Sequence, residues 1–451
     1  MTTTSPRARG TWRNWSGTAT AHPRHLLRPR DVADVVRVVR WAARSGLRVR
    51  AVGGGHSFTD AAVTDGVLLN LDLLSGVEHV ERQPDGTAHV TVGAGTRLHT
   101  LNRALAEHGL AMENLGDIDR QSVAGAVSTG THGTGARLGG LATQVVGVRV
   151  VGADGTVREA DAVHDPALFQ AARLGLGAVG LLVGLTLRVV PAFTLRAREE
   201  AHDLADVLDR LDGPDGWVAT TDHVDLYWFP FTHRALVKRN DRVAPGSGPS
   251  LAVRRRVEDE LLQNGAFEVT NRVAAALPRT VPALNAIAAR ALADRTYCAP
   301  SADVFVTRRR VVFREMEYAV PRAALRDVVG EIDAWLRRTR EPVPFPVEVR
   351  FTAPDDVWLS TAHARESAYV AVHQYHRMPH ERYFAAVEAI VAQVDGRPHW
   401  GKLHGLDAAR LAELYPRFED FRAVRDAHDP TGMFRNAYTD RVLGVPAPAG
   451  G

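Results

Sequence analysis

Cysteine and lysine are almost missing from this chain of 451 residues. Its one cysteine, Cys298, excludes an intrachain disulfide and any zinc or iron–sulfur site built from several thiolates, and it fits a reducing cytoplasm. No apolar run reaches the ~18 uninterrupted residues that read as a membrane-spanning helix. The amino terminus, "MTTTSPRARGTWRNWSG", lacks the apolar core of a secretory signal. Neither export nor a membrane span is expected. Blocks of like charge are also missing, so extensive disorder is not expected either. The formal net charge is only +3, from 55 basic and 52 acidic residues, a poor footprint for a nucleic-acid binder. Lys238 and Lys402 are the only lysines, which makes a lysine inside a dense motif conspicuous.

With 45% hydrophobic residues, the chain can fill more than one core. In "DVADVVRVVRWAARS", Val32, Val35, Val36, Val39 and Ala43 recur at helical spacing, with Asp31 placed to begin the helix and Gly46 to stop it. Strands follow in "LRVRAV", "GVLLNLDLL" and "TAHVTVG", the last leading through a Gly-x-Gly turn into a helix. "GLGAVGLLVGLTLRVVP" reads as buried strand. After Pro191 glycine thins out. Strand-like runs such as "HVDLYWFPF", "RRVVFREMEYAV", "PVEVRFTA" and "SAYVAVHQYH" then accompany a helix in "RAALRDVVGEIDAWLRR". "APGSG" at 244–248 reads as an exposed, mobile loop. The class is α+β, with a first domain over 1–190 and a second over 191–404.

Two glycine clusters carry the chemistry. In "AVGGGHSF", Gly53, Gly54 and Gly55 can bring backbone N–H groups close to a phosphate. Neither a P-loop nor a G-x-G-x-x-G dinucleotide motif is present, so neither ATP nor NAD is indicated. In "QSVAGAVSTGTHGTGARLGG", Gly125, Gly130, Gly133 and Gly135 sit among Ser122, Ser128, Thr129, Thr131 and Thr134. Such a stretch can wrap an extended anionic ligand, and with the glycine-rich run at 175–184 it suggests one large cofactor held by backbone contacts.

The set "TWRNWSG", "AVGGGHSF", "ENLGDIDRQSVAGAVSTGTHGTG", "EVR" and "HWGKLH", in that order and over nearly the whole chain, resembles the vanillyl-alcohol-oxidase type of FAD-linked oxidoreductases, within it the aldonolactone oxidase and alditol oxidase branch. The resemblance implies a two-part FAD-binding domain, 1–190 with 405–451 returning to it, and a mixed α/β cap over 191–404 that ends in the "HWGK" segment. It implies FAD contacts from Val52, Gly53, Gly54, Gly55, His56, Ser57, Gly116, Asp117, Ser122, Gly125, Ser128, Thr129, Gly130, His132, Gly133, Gly180, Val183 and His399. A ring nitrogen of His56 would be bonded to the flavin 8α-methyl. A second, cysteinyl link is not expected, because Cys298 lies outside every cofactor motif.

In "PVEVRFT" strand alternation puts Glu348 and Arg350 on one face. Arg350 can offer its planar fork to a hydroxyl or lactone oxygen, while Glu348 fixes it or accepts a hydroxyl proton. A structural ion pair is the alternative that the residues alone allow. By resemblance the pair binds substrate, and Lys402 lies beside the flavin's N1 and C2 carbonyl, stabilising charge on the reduced ring. His373 and Tyr375 are further candidates to line the substrate pocket. "HQYHRMPH" has no metal-binding pattern, so no metal is expected. The arginine triplets at 254–256 and 308–310 read as solvated faces.

The expected reaction is oxidation of a sugar-derived alcohol, foremost an aldono-1,4-lactone of the gulono, galactono or arabinono type, by hydride transfer to the flavin. Gly116 matches a gatekeeper position where alanine in plant relatives restricts oxygen, so oxygen is the expected acceptor, giving hydrogen peroxide. Cytochrome c or another acceptor is the alternative. Alditol oxidases tend to carry serine where this chain has Asp117, which favours a lactone over a polyol such as xylitol or sorbitol.

Overall fold

The computed structural model describes residues 10–249, 253–307 and 310–446, with the backbone alone for 253–263. The first nine residues, the side chains of the arginine triplet at 254–256, and Arg308 and Arg309 of the other triplet lie outside the described residues.

The first helix spans Val32–Arg44, and the Asp31 side chain caps it by accepting from the Asp34 N–H at 2.7 Å. Val35, Val39 and Ala42 are fully buried, and burying each valine contributes about 1.5–3 kcal/mol. That face packs on a small parallel sheet of His25–Leu27, Val67–Asn70 and Val49–Val52. The "GVLLNLDLL" strand is shorter than its sequence suggested and ends at Asn70. A six-stranded antiparallel sheet follows, built around Leu181–Pro191, which pairs with Val145–Val151 on one side and Ala88–Gly93 on the other.

The chain changes sheets between Pro191 and Thr194. Beyond this point an eight-stranded antiparallel sheet has at its centre the strands His223–Trp228, Val347–Thr352, Ser367–Tyr375 and Phe313–Pro321. One face of it is apolar: Leu226, Val349, Val370 and Tyr318 belong to a core shared with Leu325–Thr339 and Glu381–Ala392. The other face carries charge, because period-two alternation sends Asp225, Glu348, Arg350, His373, Glu315 and Glu317 to the opposite side.

The first core also takes in later parts of the chain, among them Val357, Leu359 and Trp400. Leu411, Leu414, Tyr415, Phe418, Phe421, Phe434 and Val442 pack with the valines of the first helix and the six-stranded sheet. Among the described residues no helix is long and apolar enough to cross a membrane. The loop at 244–248 is exposed, as its composition suggested.

Candidate active site

The first glycine cluster leaves the strand Val49–Val52 and is fixed from two sides. Trp15 N–H donates to Gly55 O at 2.8 Å and Asn14 Nδ2 to Ser57 O at 2.9 Å, which explains why "TWRNWSG" accompanies this loop. Phe58 N–H donates to Gly401 O at 2.7 Å and joins the loop to "HWGK". Only glycine fits at position 53, where a Cβ would lie 2.0 Å from Ser122 Oγ, and Gly55 has φ +67°.

The second cluster is not the continuous loop that its sequence suggested. Val123–Ser128 forms a short helix, capped by Ser122 Oγ accepting from the Gly125 N–H at 3.2 Å. Between the clusters opens a cleft of about 930 Å³, counted with the open solvent at its mouth, lined by Val52–Ser57, Ser122, Gly125, Ser128, Thr129 and Gly180. Glycine, alanine, serine and threonine make up much of its wall, together with Trp12, Arg50, Gln121 and several leucines, a lining that an extended FAD fits. The His56 imidazole borders the cleft, and its buried Nδ1 has no hydrogen-bond partner. Burial, reinforced by Arg97 and Arg120, lowers the His56 pKa to about 4, so the ring is neutral near pH 7. A neutral imidazole with an unengaged nitrogen at the cleft fits the expected cofactor.

His56, Ser57, Gln121 and Thr129 also border a second cavity, whose other walls include Gly116, Asp117, His132, Glu317, Arg350, His399 and Lys402. Arg350 forms an ion pair with Glu348, with Nη2 3.5 Å from Asp117 Oδ2 and Nε 3.2 Å from Asp225 Oδ1. Although burial disfavours its charge, Glu348, Asp117 and Asp225 raise the Arg350 pKa well above its ordinary value.

Lys402 is placed by the backbone. His399 N–H donates to Glu317 O at 2.9 Å and Leu403 N–H to Glu315 O at 3.0 Å, so "HWGK" runs along the Phe313–Pro321 strand. The Lys402 ammonium pairs with Glu315 and lies 3.7 Å from Glu317 Oε2. His132 Nε2 is 3.0 Å from Glu317 Oε1, and its ring stacks on Tyr369 at 3.7 Å. Burial opposes the charge on Glu315, but Lys402 and His373 hold its pKa down at about 2. Glu317 is likewise held well below the usual carboxylate range, against burial, by His132 and Lys402. Burial lowers the His399 pKa to about 3, leaving that ring neutral.

The structure therefore brings Gly116, Asp117, His132, Arg350, His399 and Lys402 to one cavity. Glu348 is buried behind Arg350, and His373, expected to line the pocket, borders neither cavity but is buried between Glu315, at 3.4 Å, and Glu348, at 4.0 Å. Tyr375 departs from its expected place: fully buried, it borders neither cavity, and its hydroxyl donates to Glu268 Oε1 at 2.9 Å. Gly130 borders a small adjoining cavity with His132 and His399. Gly133 packs on the Asn114–Leu115 segment, where a Cβ would lie 2.3 Å from the Leu115 carbonyl. Val183 is buried, and its carbonyl accepts from Ala94 N–H at 3.1 Å.

Sequence reasoning missed Glu315, Glu317 and Asp225. The signal for the first two was "REMEY", in which two carboxylates recur at strand period. Among the described residues, His132, Glu317 and His399 can bring their donor atoms within 4.8 Å of one another. Glu317 is already engaged there by His132 and Lys402.

A sequence model described as D-arabinono-1,4-lactone oxidase matches residues 185–442, and one described as an FAD binding domain matches residues 23–161. The chain is 42% identical, over 96% of its length and 99% of the relative's, to an L-gulono-1,4-lactone dehydrogenase of Mycobacterium tuberculosis. It is 33% identical, over 96% of its length and 98% of the relative's, to the L-gulonolactone oxidase of Bos taurus. Among solved structures, a cholesterol oxidase from B. sterolicum superposes with a TM-score of 0.80 over 97% of both chains, at 19% identity. At that identity the likeness concerns the fold alone.

Proposed function

The chain belongs to the D-arabinono-1,4-lactone oxidase family of FAD-dependent enzymes and oxidises an aldonolactone; from that premise we propose that Arg350, Glu348, Asp117 and Lys402 form its substrate-oxidising site and that His56 holds the flavin covalently. One observation carries the proposal: the Arg350 and Lys402 cations meet at the wall of a cavity that shares His56, Ser57, Gln121 and Thr129 with the glycine-lined cleft. The polyol alternative raised by the resemblance receives no support from relatives named for lactones.

Residues 52–57, Ser122–Thr129 and Gly180 would hold the FAD. When bound, FAD supplies the two-electron acceptor for the hydride that leaves the substrate's carbinol carbon. Arg350 binds the lactone oxygens through its planar fork, and Glu348, buried behind it, keeps the fork aimed. Asp117, on the cavity wall, accepts the hydroxyl proton as the carbon becomes a carbonyl. Lys402 contributes positive charge where negative charge gathers, with Glu315 and Glu317 fixing its position. His56 is neutral, and its unengaged Nδ1 supports covalent attachment through that nitrogen.

The preferred acceptor is oxygen. A methyl on Gly116 would sit 3.1 Å from the His132 carbonyl and 3.2 Å from Thr131 Cγ2, so glycine keeps this wall open. A dehydrogenase using another acceptor is the second reading, favoured by the name of the Mycobacterium tuberculosis relative. The single cysteine, buried and unpaired, supports a cytoplasmic setting. The test is a screen of purified protein against gulono-, galactono- and arabinono-1,4-lactones and xylitol, with oxygen, cytochrome c and dye acceptors in parallel. Turnover of a lactone supports the reading. Turnover of xylitol alone, or none with any acceptor, contradicts it.

A further inference from the structure

An aldonolactone opens in water to its aldonate. The two share a carbon skeleton and hydroxyl pattern, but the aldonate carries a full negative charge. A lactone oxidase therefore works in the presence of an anionic near-copy of its substrate. Among the described residues, the only groups at the cavity wall able to bind a carboxylate strongly are Arg350 and Lys402, and both are already matched. Arg350 is shared by Glu348, Asp117 at 3.5 Å and Asp225 at 3.2 Å. Lys402 is shared by Glu315 and by Glu317 at 3.7 Å. These ion pairs and the His132–Glu317 contact link into one cluster through His373, which reaches both Glu315, at 3.4 Å, and Glu348, at 4.0 Å. With its two histidines neutral, its carboxylates exceed its cations by three; with both protonated, the cluster is still negative.

We infer that this carboxylate excess is a selectivity device: the site admits the neutral lactone and repels the aldonate, and Asp117 is the residue that sets the discrimination. The inference rests on the lactone-oxidising reading above. Asp117 is singled out because, of the two carboxylates on the cavity wall, it is the one that stands against one side of the Arg350 fork, whereas Glu317 is engaged by His132 and Lys402. A carboxylate binding there would have to displace Asp117 or sit beside it, and like charges brought together in a partly dry site repel strongly. A lactone carbonyl or hydroxyl can accept from Arg350 without that repulsion.

The experiment compares three ligands of one carbon skeleton on the intact flavoprotein: the lactone that is turned over, its aldonate, and the neutral open-chain polyol. Affinity is read as competitive inhibition of lactone turnover and as perturbation of the visible flavin spectrum. The aldonate is expected to bind about a hundredfold more weakly than the lactone, with the polyol clearly tighter than the aldonate. In Asp117→Asn, which keeps the size and removes the charge, aldonate affinity measured by the spectrum is expected to rise about tenfold relative to the polyol. Equal exclusion of polyol and aldonate by the wild-type protein would show that ring shape discriminates, and it overturns the inference without any variant. An unchanged aldonate-to-polyol ratio in a folded, flavin-loaded Asp117→Asn overturns it as well. If no lactone is turned over, the functional reading itself fails, a result distinct from either of these.

Discussion

The Lys402 ammonium lies 3.7 Å from Glu317 Oε2 while pairing with Glu315, so one lysine stands between two carboxylates of a single strand. Glu317 in turn accepts from His132, and Glu315 faces His373. Removing the lysine leaves two buried negative charges with only histidine partners. Breaking a buried pair on one side costs about 3–5 kcal/mol. Lys402→Met is therefore expected to lower the melting temperature and, in protein that still folds with flavin, to slow flavin reduction by about 10²-fold. Calorimetry and anaerobic stopped-flow absorbance read the two effects separately.

Arg350 touches three carboxylates, which a planar fork can satisfy together and a point charge cannot. Arg350→Lys should keep the net charge yet lose about 10²-fold or more in kcat/KM for the lactone, in line with the cost of one misdirected transition-state donor. A variant that retained wild-type kcat/KM would remove Arg350 from the substrate site.

The pH dependence of stability follows from Glu315, whose pKa is held at about 2 by Lys402 and His373 against the effect of burial. In the unfolded chain a glutamate titrates near about 4.3. Between these values the unfolded state binds the additional proton, so stability falls as the pH drops through this window. Thermal melts from pH 6 downward should show this loss, and Glu315→Gln, less stable at pH 6, should show a shallower one. In flavin-free protein His56 adds a loss in a higher window: its folded pKa of about 4 lies below the ordinary histidine value, so stability declines as the pH falls from there toward 4.

At Gly116 an added methyl would meet the His132 carbonyl at 3.1 Å and Thr131 Cγ2 at 3.2 Å. Gly116→Ala is expected to reduce turnover with oxygen severalfold more than turnover with a dye acceptor. A parallel fall with both acceptors would mean that the methyl disturbs the site as a whole and would remove the argument for oxygen access.

Much of this site is local in sequence, and those parts were legible. Asp31 and the valine spacing marked the first helix; the alternation of "PVEVRFT" put Glu348 and Arg350 on one side; a lysine in a chain nearly without lysine drew attention to 402. What was missed is set by tertiary pairing. Glu315 and Glu317 become site residues only because "HWGK" is laid along their strand by backbone bonds from His399 and Leu403. The helix Val123–Ser128 was hidden by glycine and serine content, which weighs against helix unless a cap such as Ser122 supports it. Val253–Ala276 forms a long helix without a regular apolar stripe, so periodicity had nothing to detect. Tyr375 shares a strand face with His373, but it lies nearer the strand end, where its hydroxyl meets Glu268.

Covalent attachment is a separable claim. Acid precipitation should leave the yellow colour in the pellet of the wild-type protein and release it from His56→Ala. Colour released from both would show that the unengaged Nδ1 of His56 reflects packing beside a noncovalent cofactor.

The most direct test of the account is a single anaerobic mixing experiment, in which purified, flavin-loaded protein meets excess aldono-1,4-lactone and the visible flavin band is followed. The account predicts that the band bleaches fully with at least one of the gulono-, galactono- or arabinono-lactones and at least about 10²-fold more slowly in Arg350→Lys. A band that persists with every lactone, or one that bleaches equally fast in the variant, would contradict it.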